Sequence, residues 1–360
     1  MKNVGIIGTG AIAPAYMQGL AVFPEQIKVV ACADINADRA QTFANTYNLD
    51  AMSIDDLLAS DKVDIIINLT IPAVHALVSL QILNAGKHVY LEKPLAINLA
   101  DGQEVMRVAQ EKNLRVGCAP DTFLGAGGQT ARRLIDEGAI GRPVSANAFM
   151  MSHGPDSWHP NPFFYFVAGG GPMLDMGPYY LTAMVNLLGS VKQVAGMANR
   201  AYDNRTAGHE AIQGDNIPVS VDTHVAGLMQ FESGAVGTII TSFDTWQSTL
   251  PRIEIHGTEG SISVPDPNRF DGDVLLFTPQ TNGWQPVASH HRSDLQRGIG
   301  VADMASCIEA NKPHRVNGAI ALHVLEIMLA FGQSSDNGQF VSIQNTAQRP
   351  DALPSNLVTS

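Results

Sequence analysis

Three side chains have the types and positions to move a proton beside a reacting oxygen: Lys93, Asp175 and Tyr179. Lys93 follows Glu92 directly after the apolar segment 88–91. A lysine at the carboxyl end of a strand can hold a substrate oxygen and stabilise the charge that develops on it. The sequence therefore predicts a catalytic lysine here, with a solvated Glu-Lys turn as the alternative.

A glycine-rich segment, 169–172, leads into a predicted helix that begins near Asp175. The polar residues of this helix share one face because they are spaced by four, three and four positions: Asp175, Tyr179, Thr182 and Asn186. A carboxylate and a phenol one turn apart suit the binding of a hydroxylated substrate and the movement of its proton. The alternative is that Asp175 caps the helix and Tyr179 is a hydrogen-bonded core tyrosine.

The segment 151–164 is rich in proline, histidine and aromatic residues. Loops of this composition often form the walls of pockets. We predict that Trp158 stacks on a sugar ring and that His159 or Asn161 bonds its hydroxyl groups, next to Asp175 and Tyr179. A rigid, packed surface loop is the alternative.

The start of the chain predicts a dinucleotide site. The β-branched strand 4–7 precedes the turn 8–13, which reads Gly-Thr-Gly-Ala-Ile-Ala, and a helix-compatible segment follows. Gly8 permits a tight turn and Gly10 lets a pyrophosphate approach the backbone, while the helix N-terminus offers N–H groups to the phosphates. A second strand ends at Asp34, whose carboxylate can bond ribose hydroxyls and repels a 2′-phosphate.

NAD is therefore the expected cofactor, although Arg39 keeps NADP open. The alternative is a glycine turn in a flavodoxin-like sheet, with Asp34 as a helix cap. Residues that follow strand ends would line one edge of the sheet. The cofactor contacts predicted in this way are Gly8, Thr9, Gly10, Ala11, Ile12, Asp34, Arg39, Thr70, Glu92 and Lys93.

Apolar strands and amphipathic helices alternate over the first 120 residues. Strands are predicted at 4–7, 27–33, 63–69, 88–91 and 114–117, and helices at 12–20, 37–47, 54–59, 73–85 and 99–112. Continuous apolar strands between helices indicate an α/β domain with a doubly wound parallel sheet that is covered on both faces.

The pattern changes after about residue 120. Segments 219–231 and 235–242 alternate apolar and polar residues and meet at a Glu-Ser-Gly turn, which is typical of a hairpin. The second half is therefore predicted to be α+β with a large, mostly antiparallel sheet. We expect domains at 1–120 and 121–345, and a polar tail at 346–360.

Composition limits the classes of partner that the chain can be expected to bind. The chain carries 34 acidic and 22 basic residues, a net charge of −12, with no basic cluster, so we expect no nucleic-acid or membrane partner. No apolar run is expected to reach the roughly 18 residues that span a bilayer. The three cysteines fit no metal spacing, which favours buried thiols in a reducing compartment, the cytoplasm. No metal site is predicted.

Taken in this order and spacing, the turn 8–13, Glu92-Lys93-Pro94 and the glycine-rich turn into an Asp-bearing helix resemble the Gfo/Idh/MocA oxidoreductases. The segment Thr70-Ile71-Pro72 with His75 also looks like the family's segment after the third strand. The resemblance implies a nicotinamide-binding Rossmann domain, with Pro72 and His75 at the cofactor. It also implies a C-terminal domain whose open sheet often forms an oligomer interface, here a homodimer or homotetramer.

The family's catalytic set is a lysine, an aspartate and a histidine, and the first two match Lys93 and Asp175. Tyr179 stands where the family commonly has the histidine, as in some relatives that use tyrosine as the acid/base group. The resemblance implies hydride transfer between a nicotinamide and a hydroxyl or carbonyl of a sugar, cyclitol or related polyol. A ligand-sensing regulator without turnover, or a glycoside hydrolase that uses NAD transiently, are the alternatives. Which of Tyr179 and Lys93 transfers the proton stays open at this point.

Overall fold

In the computed structural model, which describes residues 1–354, the first domain is built on a six-stranded parallel sheet. Its strands are β1 (Lys2–Ile7), β2 (Ile27–Ala33), β3 (Asp50–Ala51), β4 (Ile65–Asn68), β5 (His88–Leu91) and β6 (Val116–Cys118). Their order across the sheet is β3-β2-β1-β4-β5-β6. This order reverses direction between β1 and β4, and ligands of such sheets bind at the carboxyl ends of the strands beside that point.

Helices cover both faces of this sheet. They are α1 (Ala13–Leu20), α2 (Ala37–Tyr47), α3 (Ile54–Ala59), α4 (His75–Asn84) and α5 (Leu99–Glu111). In β4, Ile66 shares a hydrophobic core with Ile82 of α4, whereas Ile65 shares a second core with Tyr16 of α1. Successive side chains of a strand point to opposite faces. The continuous apolar run of β4 is therefore buried on both sides, which confirms the predicted doubly wound sheet.

The second half of the chain contains a nine-stranded, mostly antiparallel sheet, as predicted. Its strands are β7 (Pro143–Met151), β8 (Val191–Asn199), β11 (His224–Phe231), β12 (Val236–Ser242), β13 (Ile253–Gly257), β14 (Ser261–Val264), β15 (Val274–Phe277), β16 (Gln285–Val287) and β17 (Val341–Ser342), and a separate pair is formed by β9 (Asn204–Thr206) and β10 (Asn216–Pro218). The order is β16-β15-β14-β13-β7-β12-β11-β8-β17, and only the β7–β12 pair of this sheet is parallel.

One face of the large sheet is covered and the other is open. The later helices are α6 (Ala126–Asp136), α7 (Gly171–Leu188), α8 (Ile299–Glu309) and α9 (Gly318–Asn337), and α7 and α9 pack on the sheet. A Cβ on Gly227 of β11 would lie 2.2 Å from the ring of Phe331 in α9, so only glycine allows this close approach. On the opposite face Met197 and Leu228 are exposed.

Helix α8 packs against the first domain although it follows the large sheet in sequence. Ile299 and Val301 share a core with Tyr16 and Leu20 of α1. The boundaries 1–120, 121–345 and 346–360 stay a prediction. Beyond β17 the described chain is irregular to residue 354, and the Leu353 N–H donates to Gln129 Oε1 at 2.7 Å. The rest of the predicted tail, 355–360, lies outside the described residues.

By length and composition, α9 is apolar enough to cross a membrane, with a mean hydropathy of 1.2. The expectation that no run reaches this length was wrong. In the structure 67% of the most apolar 18-residue stretch of α9 is buried inside the protein. Helix α9 also carries the buried polar residues His323 and Glu326. His323 accepts from the Val191 N–H at 3.0 Å. Helix α9 is therefore a core helix in this fold, and His323 is the satisfied structural histidine that is common at such positions.

Candidate active site

Lys93 and Asp175 meet at the carboxyl edge of the parallel sheet. Lys93 lies just beyond the end of β5, and its Nζ donates to Asp175 Oδ1 at 2.6 Å and to the Asp175 carbonyl oxygen at 2.7 Å. The two side chains are 15% and 19% exposed. The Lys93–Pro94 peptide bond is cis. The predicted pair thus comes together across the domain boundary, and the alternative of a solvated turn does not hold.

The pairing fixes the charge of the lysine. Burial alone would lower the pKa of Lys93, but the Asp175 carboxylate beside it raises that pKa above its usual value. An ammonium group has three donors, and Asp175 takes two of them. One N–H of Lys93 is therefore available to a substrate oxygen.

Tyr179 lies one turn after Asp175 on α7 and is 6% exposed. Lys93 Nζ stands 5.3 Å from the centre of its ring, and Arg297 Nη2 donates to its hydroxyl at 3.3 Å. Burial raises the pKa of Tyr179, while the charges of Lys93 and Arg297 oppose that rise. The phenol is thus set between two cations in a mostly buried position.

Helix α7 begins earlier than predicted. Its N-cap is Gly170 and its first residue is Gly171, so Asp175 lies in the second turn and is not a cap. Gly171 has φ +85°, and a Cβ there would lie 2.9 Å from the Asp222 carbonyl oxygen. Only glycine tolerates both conditions without strain. The early start carries Asp175 past the helix end and over Lys93.

The remaining polar residues of the α7 stripe are buried. Asn186 is 2% exposed, and its Oδ1 accepts from Arg132 Nη1 at 3.1 Å, so it serves the protein itself. Thr182 is 5% exposed and lines a small cavity together with Lys93.

The turn after β1 fits a dinucleotide. Gly8 has φ +96°, and a Cβ there would lie 2.7 Å from the Leu69 carbonyl oxygen, so the turn requires glycine. At Gly10 a Cβ would meet nothing within 4 Å, which leaves open space above the backbone. This space adjoins the N-terminus of α1, where free N–H groups attract phosphate. Thr9, Ala11 and Ile12 complete the turn.

The Asp34 carboxylate lies at the end of β2 and is held by hydrogen bonds. Its carboxylate accepts from the Thr9 N–H at 2.8 Å, from the Thr9 hydroxyl at 3.1 Å and from the Asn36 N–H at 2.9 Å. Arg39 Nη1 lies 3.8 Å away. Although burial opposes ionisation, these bonds hold the pKa of Asp34 below its usual value. Asn36, not Asp34, caps α2, so the helix-cap alternative is excluded.

The His75 side chain contacts the backbone of two segments at the carboxyl edge of the sheet. Its Nδ1 lies 2.7 Å from the Pro94 carbonyl oxygen and its Nε2 lies 3.0 Å from the Thr70 carbonyl oxygen. Both ring nitrogens therefore face the backbone, and burial lowers the pKa of His75. His75 thus lies between the segments that carry Thr70 and Lys93, and the cofactor contact that the resemblance implies stays a prediction. Pro72 begins the short 3₁₀ helix before α4.

Glu92 is held by a residue that the sequence did not single out. The Tyr16 hydroxyl of α1 donates to Glu92 Oε1 at 2.8 Å, and the Lys93 N–H donates to Glu92 Oε2 at 3.1 Å. Tyr16 is fully buried. Because Tyr16 reads as an ordinary apolar position of α1, no sequence signal pointed to it.

Residues 151–166, the aromatic loop, pack against the start of α7. Trp158 is 62% exposed, and the rings of His159 and Tyr165 meet edge to face with centroids 5.2 Å apart. A Cβ on Gly170, the N-cap residue of α7, would lie 2.5 Å from the Tyr165 carbonyl oxygen, so this segment packs on the start of the helix that carries Asp175. Burial and the Asp175 charge raise the pKa of Tyr165 to about 12. The Asn161 side chain is exposed and, among residues 1–354, forms no hydrogen bond with Lys93 or Asp175.

Arg205 ties this loop to the large sheet. It donates to the His153 carbonyl oxygen at 2.7 Å and to Asp156 Oδ1 at 3.0 Å, and it also bonds Asp244. Its side chain is 4% exposed. Arg205 therefore fixes the start of the wall that carries Trp158. Within the part of the chain that the structure describes, no group of three or more His, Cys, Asp or Glu side chains could hold a metal.

The strand order and the glycine turn define a dinucleotide-binding protein. Two sequence models of one family match the chain. The model described as "Oxidoreductase family, NAD-binding Rossmann fold" matches residues 2–119, and the model of the GFO/IDH/MocA C-terminal domain matches residues 129–263. The chain belongs to the Gfo/Idh/MocA oxidoreductase family.

Individual relatives are distant but cover most of the chain. A 1,5-anhydro-D-fructose reductase of Ensifer adhaerens is 28% identical over 73% of this chain and 75% of its own length. A levoglucosan dehydrogenase of Pseudarthrobacter phenanthrenivorans is 27% identical over 78% and 77%. A solved structure, levoglucosan dehydrogenase in complex with NADH and L-sorbose, has a TM-score of 0.82 at 22% identity and covers 96% of this chain and 99% of that chain.

Together the fold and the family establish the class of protein. The chain is an NAD-dependent oxidoreductase with an N-terminal Rossmann domain and a C-terminal α+β domain. The predicted family, fold, enzyme class and cofactor are confirmed.

Proposed function

We propose that this protein transfers a hydride between NAD and a hydroxyl or carbonyl group of a sugar, cyclitol or related polyol, with Lys93, Asp175 and Tyr179 as the catalytic residues. The observation that carries this proposal is the contact of Lys93 with Asp175 at 2.6 Å, beside the buried phenol of Tyr179. The named activities of the two relatives, on anhydrofructose and levoglucosan, support a sugar-like substrate.

Each residue has one task in this mechanism. The nicotinamide, when bound, takes up or returns the hydride. Lys93 directs its third N–H at the substrate oxygen and stabilises negative charge there. Tyr179 accepts the hydroxyl proton in oxidation and returns it in reduction. Asp175 holds Lys93 in place and keeps it charged.

The proton passes through Tyr179 and not through Lys93. Because the Asp175 carboxylate raises the pKa of Lys93, the ammonium group keeps its proton at neutral pH and is a poor base. Tyr179 forms no hydrogen bond to a carboxylate within the described residues. Glu92 raises the pKa of the phenol, whereas the cations Lys93 and Arg297 lower it and favour the phenolate. The geometry thus supports Lys93 as a fixed electrophile and Tyr179 as the acid/base group.

The glycine turn and Asp34 suit NAD. The pyrophosphate would lie over Gly10 and the N-terminus of α1, and the ribose hydroxyls would meet the Asp34 carboxylate. Thr70 and Glu92 lie at the same carboxyl edge, towards the nicotinamide end. Trp158 and His159 would form the outer wall against the sugar ring, with Asn161 at its rim.

A second copy of this chain is the partner that best fits the open face of the large sheet. Met197 is 79% exposed, and Leu228 and Val236 are each 49% exposed on adjoining strands. Exposed apolar patches of this kind commonly mark protein interfaces. The protein would then be a homodimer or homotetramer. A cytoplasmic location is supported by the three free thiols, of which Cys32 and Cys118 are buried.

A substrate panel tests the proposed activity. Purified protein with NAD or NADP is mixed with sugars, cyclitols and sugar acids, and NADH or NADPH formation is followed by absorbance, with glycoside cleavage measured in parallel. We expect reduction of NAD by at least one polyol, and its loss in K93M but not in K192M, which changes an exposed lysine. Confirmed NAD binding without hydride transfer, or glycoside cleavage without net NADH, would contradict the proposal.

A further inference from the structure

Arg297 reaches the site from a segment far from the other catalytic residues. It precedes α8, and its Nη2 donates both to the Tyr179 hydroxyl at 3.3 Å and to Asn268 Oδ1 at 3.1 Å. One guanidinium nitrogen thus bridges the phenol and a fixed amide oxygen. This arrangement holds the Tyr179 hydroxyl in one orientation.

The backbone of Arg297 is held on both sides. A Cβ on Gly19 of α1 would lie 1.9 Å from the Arg297 carbonyl oxygen, so the loop docks directly on α1. The Gly298 and Gly300 N–H groups donate to Asp121 Oδ2 at 2.8 Å and 3.0 Å. Arg297 therefore starts from a rigid anchor, which lowers the entropy cost of placing its long side chain.

The charges that face the Tyr179 phenol come from several elements. Lys93 and Glu92 lie after β5, Arg297 lies before α8, and the phenol of Tyr165 lies in the aromatic loop. Lys93 is compensated by Asp175 at 2.6 Å. Arg297 forms no ion pair with a carboxylate among residues 1–354, so its positive charge acts on the phenol without a direct counter-ion.

We propose that Arg297, anchored by Asn268, is a positioning residue that orients the Tyr179 hydroxyl and stabilises its phenolate during proton transfer. This role rests on the proposed function of Tyr179. A planar, permanently charged guanidinium suits the task because it keeps its charge at every working pH. Removing it leaves the phenolate with one compensated cation, Lys93.

Two other roles for Arg297 make different predictions. Its Nε and Nη1 have no hydrogen-bond partner in the described part of the chain, so a substrate anion could meet them. In that case R297Q would raise KM for the substrate and leave the pH profile of kcat in place. A purely structural role would lower thermal stability without moving either quantity.

The test compares R297Q, R297K and N268A with the wild type. For polyol oxidation we expect R297Q to shift the apparent pKa in the kcat profile upward by about one unit or more. R297K should keep that pKa close to the wild-type value, and N268A should give a pKa between those of R297K and R297Q. NADH binding, measured by fluorescence, should stay within the wild-type range. An unchanged profile in R297Q, or a change confined to KM, would overturn the role of Arg297.

A second readout does not depend on turnover. In protein labelled with 3-fluorotyrosine, the ¹⁹F signal that disappears in Y179F belongs to Tyr179, and its titration reports the phenol directly. We expect this titration to move to higher pH in R297Q and to move back in R297K. If Y179F keeps full turnover, the proposed acid/base role of Tyr179 fails, yet this titration still decides whether Arg297 acts on the phenol. An identical titration in R297Q and wild type overturns the inference alone.

Discussion

In the proposed mechanism, Lys93, Asp175 and Tyr179 have different tasks because their surroundings differ. Lys93 and Asp175 are 82 positions apart in the chain and form a 2.6 Å ion pair, so each keeps its charge. Tyr179 is nearly buried, and its pKa is raised by burial against the pull of two cations. A group that accepts a proton in one direction and donates it in the other needs a pKa that is not pushed far to either side. The opposite effects of burial and of the two cations on the Tyr179 pKa suit this task.

The rate of polyol oxidation should rise with pH. Burial places the pKa of Tyr179 above its usual value, so at neutral pH only a small fraction is phenolate, and that fraction grows about tenfold per pH unit. The reverse reaction needs the phenol, which predominates throughout, so its rate should change little. Initial rates in both directions across a pH series check this. A flat oxidation profile would contradict it, provided that hydride transfer limits the rate.

Asp34 should decide between NAD and NADP. We expect D34A to raise KM for NAD by about ten- to a hundredfold, because a charge-assisted hydrogen bond to the ribose is lost. The preference of the enzyme for NAD over NADP should become smaller. Steady-state kinetics with both cofactors measure the effect. D38A changes an exposed carboxylate on the next helix and serves as the control. An unaltered cofactor preference in D34A would remove Asp34 from this role.

The proximity of the proposed catalytic residues could be predicted from sequence, because their types and their spacing along the chain are visible without knowledge of contacts. Lys93 and Asp175 were identified in this way, as was Tyr179. Arg297 and Tyr16 were missed, since neither lies in a recognisable pattern and both reach the site only through tertiary packing. The cofactor contact of His75 stays a prediction, and nothing in the sequence indicated that its ring nitrogens face two backbone carbonyls.

The residue at which helix α7 starts determines where Asp175 and Tyr179 lie. Its start at Gly171, four residues earlier than predicted, depends on a positive φ and on close approach to Asp222, neither of which shows in a pattern of apolar residues. Regular elements were easier: β2 and α2 have the predicted bounds. The predicted strand 219–231 begins only at His224, and β8 was not predicted, because its alternation of apolar and polar residues is weak.

G171A should destabilise the protein more than G189A. Both glycines have positive φ, +85° and +89°, but a Cβ at Gly171 would lie 2.9 Å from the Asp222 carbonyl oxygen, while a Cβ at Gly189 meets nothing within 4 Å. Strain at such a position costs about 1–3 kcal/mol, and the clash adds to it. Urea unfolding compares the two variants. Equal stability of the two variants would show that the start of α7 can shift freely, and would contradict the requirement for glycine at position 171.

At the scale of the whole molecule, the cofactor edge and the open sheet lie on different parts of the chain. Domain one supplies the dinucleotide turn and Lys93, while the second domain supplies α7 and the open face. The segment before α8 returns to α1 and joins the two around Arg297. Sequence patterns predicted both sheets. They did not predict that α8 packs back on α1 of the first domain, because the sequence of a short helix does not show which element it packs against.

Charges on the open face should disrupt self-association. We expect M197E combined with L228E to convert the oligomer into monomer, because each carboxylate would be buried unpaired in an apolar interface. Size-exclusion chromatography with light scattering measures the mass. L77E places a carboxylate at an exposed apolar position of the first domain and is the control. If wild type is monomeric, or if the double variant keeps the wild-type mass, the proposed interface is wrong.

The most direct test of the central claim is the rate of hydride transfer in Y179F beside Y180F. Both variants lose one buried phenol hydroxyl on α7, but only Tyr179 faces Lys93. We predict that Y179F lowers kcat for the polyol by about a hundredfold or more while NADH binding persists, and that Y180F keeps most of its turnover. If Y179F turns over as fast as Y180F, Tyr179 is not the acid/base group and the mechanism proposed here is wrong.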